Sequence, residues 1–137
     1  MFTKANIVST LVTAVWGFGG GYLLWGILGD PLLSDHLGSA TGVMREMPDM
    51  FHLVLGCIIQ AFAFSTIYGR WANSEYGMGT GITFGFWVAI LMGLGEGLID
   101  YATSNIIDMS GTFINFGIYL VFFLVTGLLA GLVYKKV

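Results

Sequence analysis

The chain has 137 residues, of which 56% are hydrophobic and only 9% are charged, and its formal net charge is −3. A soluble domain averages about 25% charged residues, so this composition excludes a surface that faces water on every side. The small negative charge, without a basic patch, argues against a nucleic-acid partner. One cysteine, Cys57, excludes an intrachain disulfide and a cysteine quartet for a metal. We expect a single membrane domain, 1–137, without a cofactor.

Four apolar stretches are long enough to cross a bilayer, which takes about 20 residues in a helix. They cover about residues 5–29, 50–69, 78–100 and 112–134. Helices are expected because membrane strands alternate polar and apolar residues over about ten positions. The first stretch is longer than the apolar part of a signal peptide and lacks an Ala-x-Ala site, so we expect it to be retained. The predicted fold class is an all-α four-transmembrane-helix bundle.

The loop that follows the first stretch, residues 30–49, is long and amphipathic. Asp30 before Pro31 is typical of a helix N-cap followed by proline in the first turn. The leucines that come next share a face with His36. This pattern predicts a short helix that lies on the outer membrane interface.

Glycines recur four residues apart along three of the four stretches, and small residues at that spacing let membrane helices approach closely. We predict that they are helix-packing positions, either within the bundle or, alternatively, against another subunit. Because four helices enclose little interior, we expect a homo-oligomer or a complex with other membrane subunits. The glycines are Gly17, Gly21, Gly81, Gly85, Gly93, Gly97, Gly127 and Gly131.

Polar side chains are rare in the stretches and collect in the half that we expect to be the outer one. Glu96, in "LMGLGEGLIDY", is followed by Asp100 one helical turn later, so both carboxylates share a face. An ionised carboxylate costs about 2.5–3.5 kcal/mol at the centre of a membrane helix, so a partner is expected. Together with the two carboxylates, the candidate polar cluster contains Asp49, His52, Gln60, Asn115 and Tyr119.

Several roles for this cluster stay open on the sequence. Glu96 could hydrogen-bond His52 or Asn115 and hold the bundle together. The cluster could instead line a water-filled vestibule that passes protons or a small solute. A metal site is disfavoured because the Glu-x-x-His repeat of di-metal bundles is missing. No Ser-His-Asp or Cys-His arrangement points to catalysis.

The basic residues predict the orientation. Lys4, Arg70, Lys135 and Lys136 fall on one side of the four stretches, and Arg45 alone falls on the other. Cytoplasmic loops carry the excess of Lys and Arg. We therefore predict a multi-pass protein of a bacterial inner (plasma) membrane with both termini in the cytoplasm.

Two short segments carry a resemblance to a known family: "GGGYLLWGILGDPL" at 19–32 and "FINFGIY" at 113–119. With these segments and its pattern of four stretches, the chain resembles a family of small four-span bacterial integral membrane proteins of unknown function. The resemblance implies a four-helix membrane domain. It implies no activity, and it assigns no functional residue.

The function expected from these observations is non-enzymatic. We expect a small polytopic membrane protein that assembles with itself or is an accessory subunit of a larger membrane complex, in contact with membrane lipid. The alternative is a small oligomeric transporter or channel that uses the acidic cluster around Glu96. A membrane enzyme is the third expectation.

Overall fold

A computed structural model describes residues 2–137 and is helical throughout that range apart from its loops and one isolated β-bridge. We name its four helices α1 (Lys4–His36), α2 (Met50–Trp71), α3 (Met78–Thr103) and α4 (Met109–Lys136). Each is long and apolar enough to cross a membrane. The predicted all-α class and the predicted number of long apolar helices are confirmed.

Polar side chains start three of the helices by accepting a hydrogen bond from a free backbone N–H of the first turn. Thr3 accepts from the N–H of Asn6 at 3.1 Å at the start of α1. Asp49 and Asp108 do the same for α2 and α4. These caps set where the chain enters each helix.

The first helix differs from the expectation at Asp30. It is α-helical over Lys4–Gly21, π-helical over Tyr22–Gly29, α-helical over Asp30–Leu33 and 3₁₀-helical over Ser34–His36. Asp30 has helical backbone angles, and its N–H donates to the carbonyl of Trp25. Asp30 therefore continues a helix instead of capping a new one. Pro31 stands in the first turn of the α-helical segment that follows the π segment.

The third helix contains a second π segment. It is α-helical over Met78–Ala89, π-helical over Ile90–Gly95 and α-helical again over Glu96–Thr103. Both π segments lie in the half of their helix that leads away from the basic residues, and both contact α4. α4 itself is α-helical over its whole length.

Helices α3 and α4 form the most extensive pair in the bundle, and glycines let their backbones touch. A methyl group built on Gly81 would meet the carbonyl oxygen of Gly127, and one on Gly127 would meet that of Gly81. A methyl on Gly85 would meet the carbonyl oxygen of Phe123, and one on Gly131 that of Gly77. The crossing therefore has no room for a side chain.

Helix α2 packs against α1 along only half of its length. Its buried residues, Ala61, Phe64, Ser65 and Tyr68, all belong to the half that ends at Trp71. Residues 51–60 are exposed except for the half-buried Cys57. The first half of α2 therefore leaves the bundle.

The two ends of the bundle differ in charge. We call the end that carries Lys4, Arg70, Lys135 and Lys136 the basic end and the opposite end, with the loops around residues 37–49 and 104–108, the acidic end.

The two loops of the acidic end are joined to each other. The N–H groups of Gly38 and Ala40 donate to the carbonyls of Ile106 and Asn105 at 2.8 and 3.0 Å. The N–H of Asp108 donates to the carbonyl of His36 at 2.8 Å. We refer to these contacts between residues 36–40 and 105–108 as the loop junction.

Candidate functional site

A cavity with a volume of about 710 Å³ lies at the acidic end. We call it the acidic-end cavity. Its wall is mainly apolar and includes two carboxylates, those of Asp30 and Asp100. A concave, mostly apolar site with a few polar groups is the usual form of a ligand pocket. The other residues that line it are Trp25, Leu33, Ser34, Leu37, Met44, Ile106, Ile107, Asn115 and Tyr119.

A hydrogen-bonded pair joins α1 to α4 in the wall of this cavity. The indole N–H of Trp25 donates to Oδ1 of Asn115 at 2.8 Å. The Trp25 ring also meets the Tyr119 ring edge-on, with 4.8 Å between the ring centroids. Both contacts fix the Trp25 side chain, which comes from the first π segment.

The second π segment reaches the same part of α4. Gly93 packs so closely there that a methyl group on it would lie 2.7 Å from Cβ of Tyr119. π turns occur frequently at functional sites. Tyr119 is thus held between the two π segments, and this concentration of irregular helix marks the region as the candidate site.

A second space, the side crevice, opens on the other side of the same aromatic pair. It has a volume of about 340 Å³ and is lined by Gly17, Gly21, Gln60 and Phe122, together with Trp25 and Tyr119. Trp25 and Tyr119 line both spaces and therefore form the partition between them.

Gln60 is the exposed polar residue of the side crevice. It lies halfway along α2, and its amide makes no hydrogen bond within residues 2–137. The crevice lies between α1 and α2, beside the exposed first half of α2.

Asp49 and His52 line neither of these spaces and lie where the chain enters α2. Their side chains pair, with 2.7 Å between Nδ1 of His52 and Oδ2 of Asp49. This hydrogen bond is the main reason why the pKa of Asp49 is below its ordinary value. Both residues line an open groove of about 550 Å³ that also includes Arg45.

The seven residues of the predicted polar cluster are thus distributed over several places. Asp100, Asn115 and Tyr119 line the acidic-end cavity. Glu96 is exposed, and in the part of the chain that the structure describes it takes part in no hydrogen bond or ion pair. The amide oxygen of Asn115 accepts from Trp25 instead.

The remaining glycines of the predicted packing set have different surroundings. A methyl group on Gly17 would lie 3.7 Å from Cβ of Cys57, and one on Gly97 would lie 3.5 Å from the methyl of Thr112. Both distances are ordinary contacts. A methyl on Gly21 would meet no atom within 4 Å, since Gly21 lines the open side crevice.

Sequence reasoning missed a polar face near the basic end. Asn6, Ser9, Thr10 and Thr13 are all buried on one side of α1. Ser9 Oγ lies 2.8 Å from Oγ of Ser65 in α2, and both side chains are fully buried. The signal was available, because the spacing i, i+3, i+4, i+7 places four polar residues on one face of a helix.

No protein-family model, curated protein or solved structure matches this chain. The site therefore rests on its own geometry. Between Phe2 and Val137, no three His, Cys, Asp or Glu side chains come together in a group that could hold a metal ion.

Proposed function

We propose that this chain is a multi-pass membrane protein that assembles with other membrane helices, either further copies of itself or the subunits of a larger complex. The observation that carries the proposal is the exposed first half of α2, with Gln60 at its inner end beside the side crevice.

The position of Gln60 explains why a protein partner is needed. Helix α2 has 22 residues, which rise about 33 Å and match a hydrocarbon core of about 30 Å. Gln60 then lies near the midplane of the membrane. Lipid tails can cover the apolar residues 53–59, but they cannot hydrogen-bond an amide.

A helix seated in the side crevice would supply what lipid cannot. Gly17 and Gly21 on α1 would let its backbone approach, and a polar side chain or carbonyl would pair with Gln60. Small residues and interhelical hydrogen bonds are the features that hold membrane helices together. The partner would bury the exposed face of α2 at the same time.

The proposed orientation follows from the basic end, which carries four of the five Lys and Arg residues. We place that end, and both termini, on the cytoplasmic side of a bacterial inner membrane. The acidic end then faces outward. Residues 30–36 lie on the outer interface, where exposed Leu32 meets the headgroup boundary.

Transport through a single chain receives less support. Below the acidic-end cavity the interior is filled by rings: Trp25 packs against Phe122 at 5.3 Å and Phe122 against Phe123 at 5.1 Å between centroids. Phe122 and Phe123 are only 5% and 2% exposed. A solute path through the bundle would require these rings to move.

Crosslinking tests the proposal. Gly56 lies one turn before Gln60 on the same face of α2, and a methyl on it would meet no atom within 4 Å. In a Cys57→Ala chain in native membranes, we expect Gly56→Cys that carries a maleimide-linked benzophenone to photocrosslink to another chain. Adding Gln60→Leu should weaken the product, because the interhelical hydrogen bond is lost.

Val15→Cys is the matched control, because Val15 is 75% exposed and lies on the face of α1 turned away from Gly17. It should give no specific product. The mass of the Gly56→Cys product separates a second copy from a different subunit. Equal crosslinking at both positions, or none at Gly56→Cys, would contradict the proposal.

A further inference from the structure

A space that the proposed assembly does not use is a small polar cavity at the basic end, with a volume of about 120 Å³. We call it the basic-end cavity. Its wall includes Thr3, Asn6, Thr66, Arg70, Tyr76 and Tyr134. We propose that it binds a phosphodiester that carries a hydrogen-bond donor, as in the ethanolamine or glycerol headgroup of a membrane phospholipid.

Most donors in this wall are already used. The side-chain amide of Asn6 donates to Oγ1 of Thr66 at 3.1 Å and to the hydroxyl of Tyr134 at 3.2 Å. The Tyr134 hydroxyl donates in turn to the carbonyl of Ser65 at 2.7 Å. Both N–H groups of Asn6 are therefore occupied, and its orientation is fixed.

The amide oxygen of Asn6 is left over. Asn6 is only 2% exposed, and its Oδ1 is the only buried side-chain nitrogen or oxygen of residues 2–137 without a hydrogen-bond partner. A buried acceptor without a partner is unfavourable. Because Asn6 lines the basic-end cavity, we infer that the ammonium or hydroxyl of the ligand supplies the missing donor.

The charge of this end points to an anion. Arg70 lines the cavity, and Lys4, Lys135 and Lys136 belong to the same end of the bundle. The ion pairs of residues 2–137 all lie at the acidic end, so none of these four cations is paired. A guanidinium matches a phosphate through two parallel hydrogen bonds, and the Thr66 hydroxyl is free to donate as well.

Size and position favour a headgroup over a larger ligand. The volume of 120 Å³ is that of roughly four waters at about 30 Å³ each, so the cavity admits the terminal ammonium or hydroxyl of a headgroup and leaves the phosphate beside the exposed Arg70. If the four helices span a membrane, as proposed above, this end lies at the depth of the headgroups. A soluble phosphate ester offers the same chemistry, so the experiment separates the two sources.

The experiment compares three lipids that differ only in the headgroup. The chain is reconstituted in nanodiscs with equal amounts of phosphatidylethanolamine, phosphatidylglycerol and phosphatidylcholine, and retained lipid is measured by native mass spectrometry. Choline has the phosphate but no N–H or O–H donor. We expect ethanolamine and glycerol lipids to be retained about fivefold over choline lipid, as expected for one hydrogen bond.

Two matched variants test the charge. Arg70→Gln should lower the retention of all three lipids, whereas Lys136→Gln, which removes the same charge outside the cavity wall, should leave retention unchanged. Both residues are exposed and make no ion pair in the described chain, so we expect neither substitution to affect folding. Asn6→Leu should remove the preference over choline lipid while retaining the effect of Arg70.

Equal retention of all three lipids by the native chain, or equal effects of Arg70→Gln and Lys136→Gln, would overturn the site and leave a water-filled cavity. Displacement of the lipid by millimolar glycerophosphoethanolamine would overturn the lipid source in favour of a soluble ester. A chain that reconstitutes but shows no preference refutes this site alone. A chain that does not enter nanodiscs refutes the membrane function.

Discussion

Gly127 shows at the scale of one residue how this bundle is held together. Its Cα lies where the backbones of α3 and α4 meet, and a methyl group there would reach the carbonyl oxygen of Gly81. Between apolar helices in lipid, close van der Waals contact replaces the hydrophobic effect as the main attraction. A single methyl group at this point therefore forces two backbones apart.

We predict that Gly127→Ala destabilises the bundle by about 1–3 kcal/mol, the usual range for overpacking. Thermal unfolding in detergent, followed by circular dichroism, measures the effect as a fall in Tm. Gly117→Ala is the control in the same helix, because a methyl on Gly117 meets no atom within 4 Å. It should be neutral or stabilising by up to about 1 kcal/mol through helix propensity.

If both alanine variants shift the Tm equally, the close approach of α3 and α4 at Gly127 is not the cause. The backbones of α3 and α4 would then lie farther apart in solution than they do in the structure.

At the scale of elements, Asp108 connects the loop junction to the start of α4. Its carboxylate accepts from the N–H of Gly111 at 2.7 Å, and Nδ1 of His36 lies 3.1 Å from it. The Gly111 hydrogen bond, followed by the pairing with His36, holds the pKa of Asp108 below its ordinary value. The carboxylate is therefore favoured in its ionised form by the fold.

A carboxyl group whose pKa is lower in the folded state stabilises the fold above its ordinary pKa, and this contribution is lost as the pH falls through the lowered folded value. We therefore predict that the Tm of the native chain falls as the pH drops below about 4, the ordinary pKa of an aspartate. Asp108→Asn, which can still cap the helix but cannot titrate, should show a smaller fall.

Asp35→Asn is the control, because it removes an exposed carboxylate near the same junction that makes no hydrogen bond in the described residues. It should keep the full acid-dependent fall. An Asp108→Asn profile that coincides with the native one would show that this carboxylate does not carry the acid sensitivity.

The π segments are elements that the sequence did not predict. Tyr22–Gly29 and Ile90–Gly95 are apolar and glycine-containing like the helix around them, so nothing in their composition separates an i→i+5 turn from an ordinary one. Their position becomes meaningful only through α4, against which both are packed. Trp25 belongs to the candidate site because it lies in the first of these segments and hydrogen-bonds Asn115 of α4.

At the scale of the whole molecule, the distribution of charge between the two ends makes orientation testable. In a Cys57→Ala chain, we predict that a membrane-impermeant maleimide applied to intact cells labels Thr41→Cys at the acidic end and leaves Glu75→Cys at the basic end unlabelled. The physical reason is the excess of Lys and Arg that is retained on the cytoplasmic side.

Both positions are exposed, so both should be labelled once the membrane is disrupted, which controls for reactivity. Labelling of Glu75→Cys alone in intact cells would reverse the orientation. Labelling of both in intact cells would remove the proposed four-span arrangement.

The sequence by itself determined the helical class and the number of long apolar helices. A run of about 20 apolar residues can satisfy all its backbone hydrogen bonds in lipid only by forming a helix, and polar loops separate four such runs. It also marked the glycines that the α3–α4 crossing uses, because spacing along one helix fixes a face.

Only the tertiary structure decided which faces meet. It paired His52 with Asp49 and left Glu96 exposed, an outcome that the sequence could not give because spacing within one helix carries no information on how two helices pack. It likewise turned Asn6, an ordinary polar residue in the sequence, into a buried acceptor without a partner. Whether the oxygen of Asn6 has a donor depends on the side chains that α1, α2 and α4 place around it, and their packing cannot be read from the sequence.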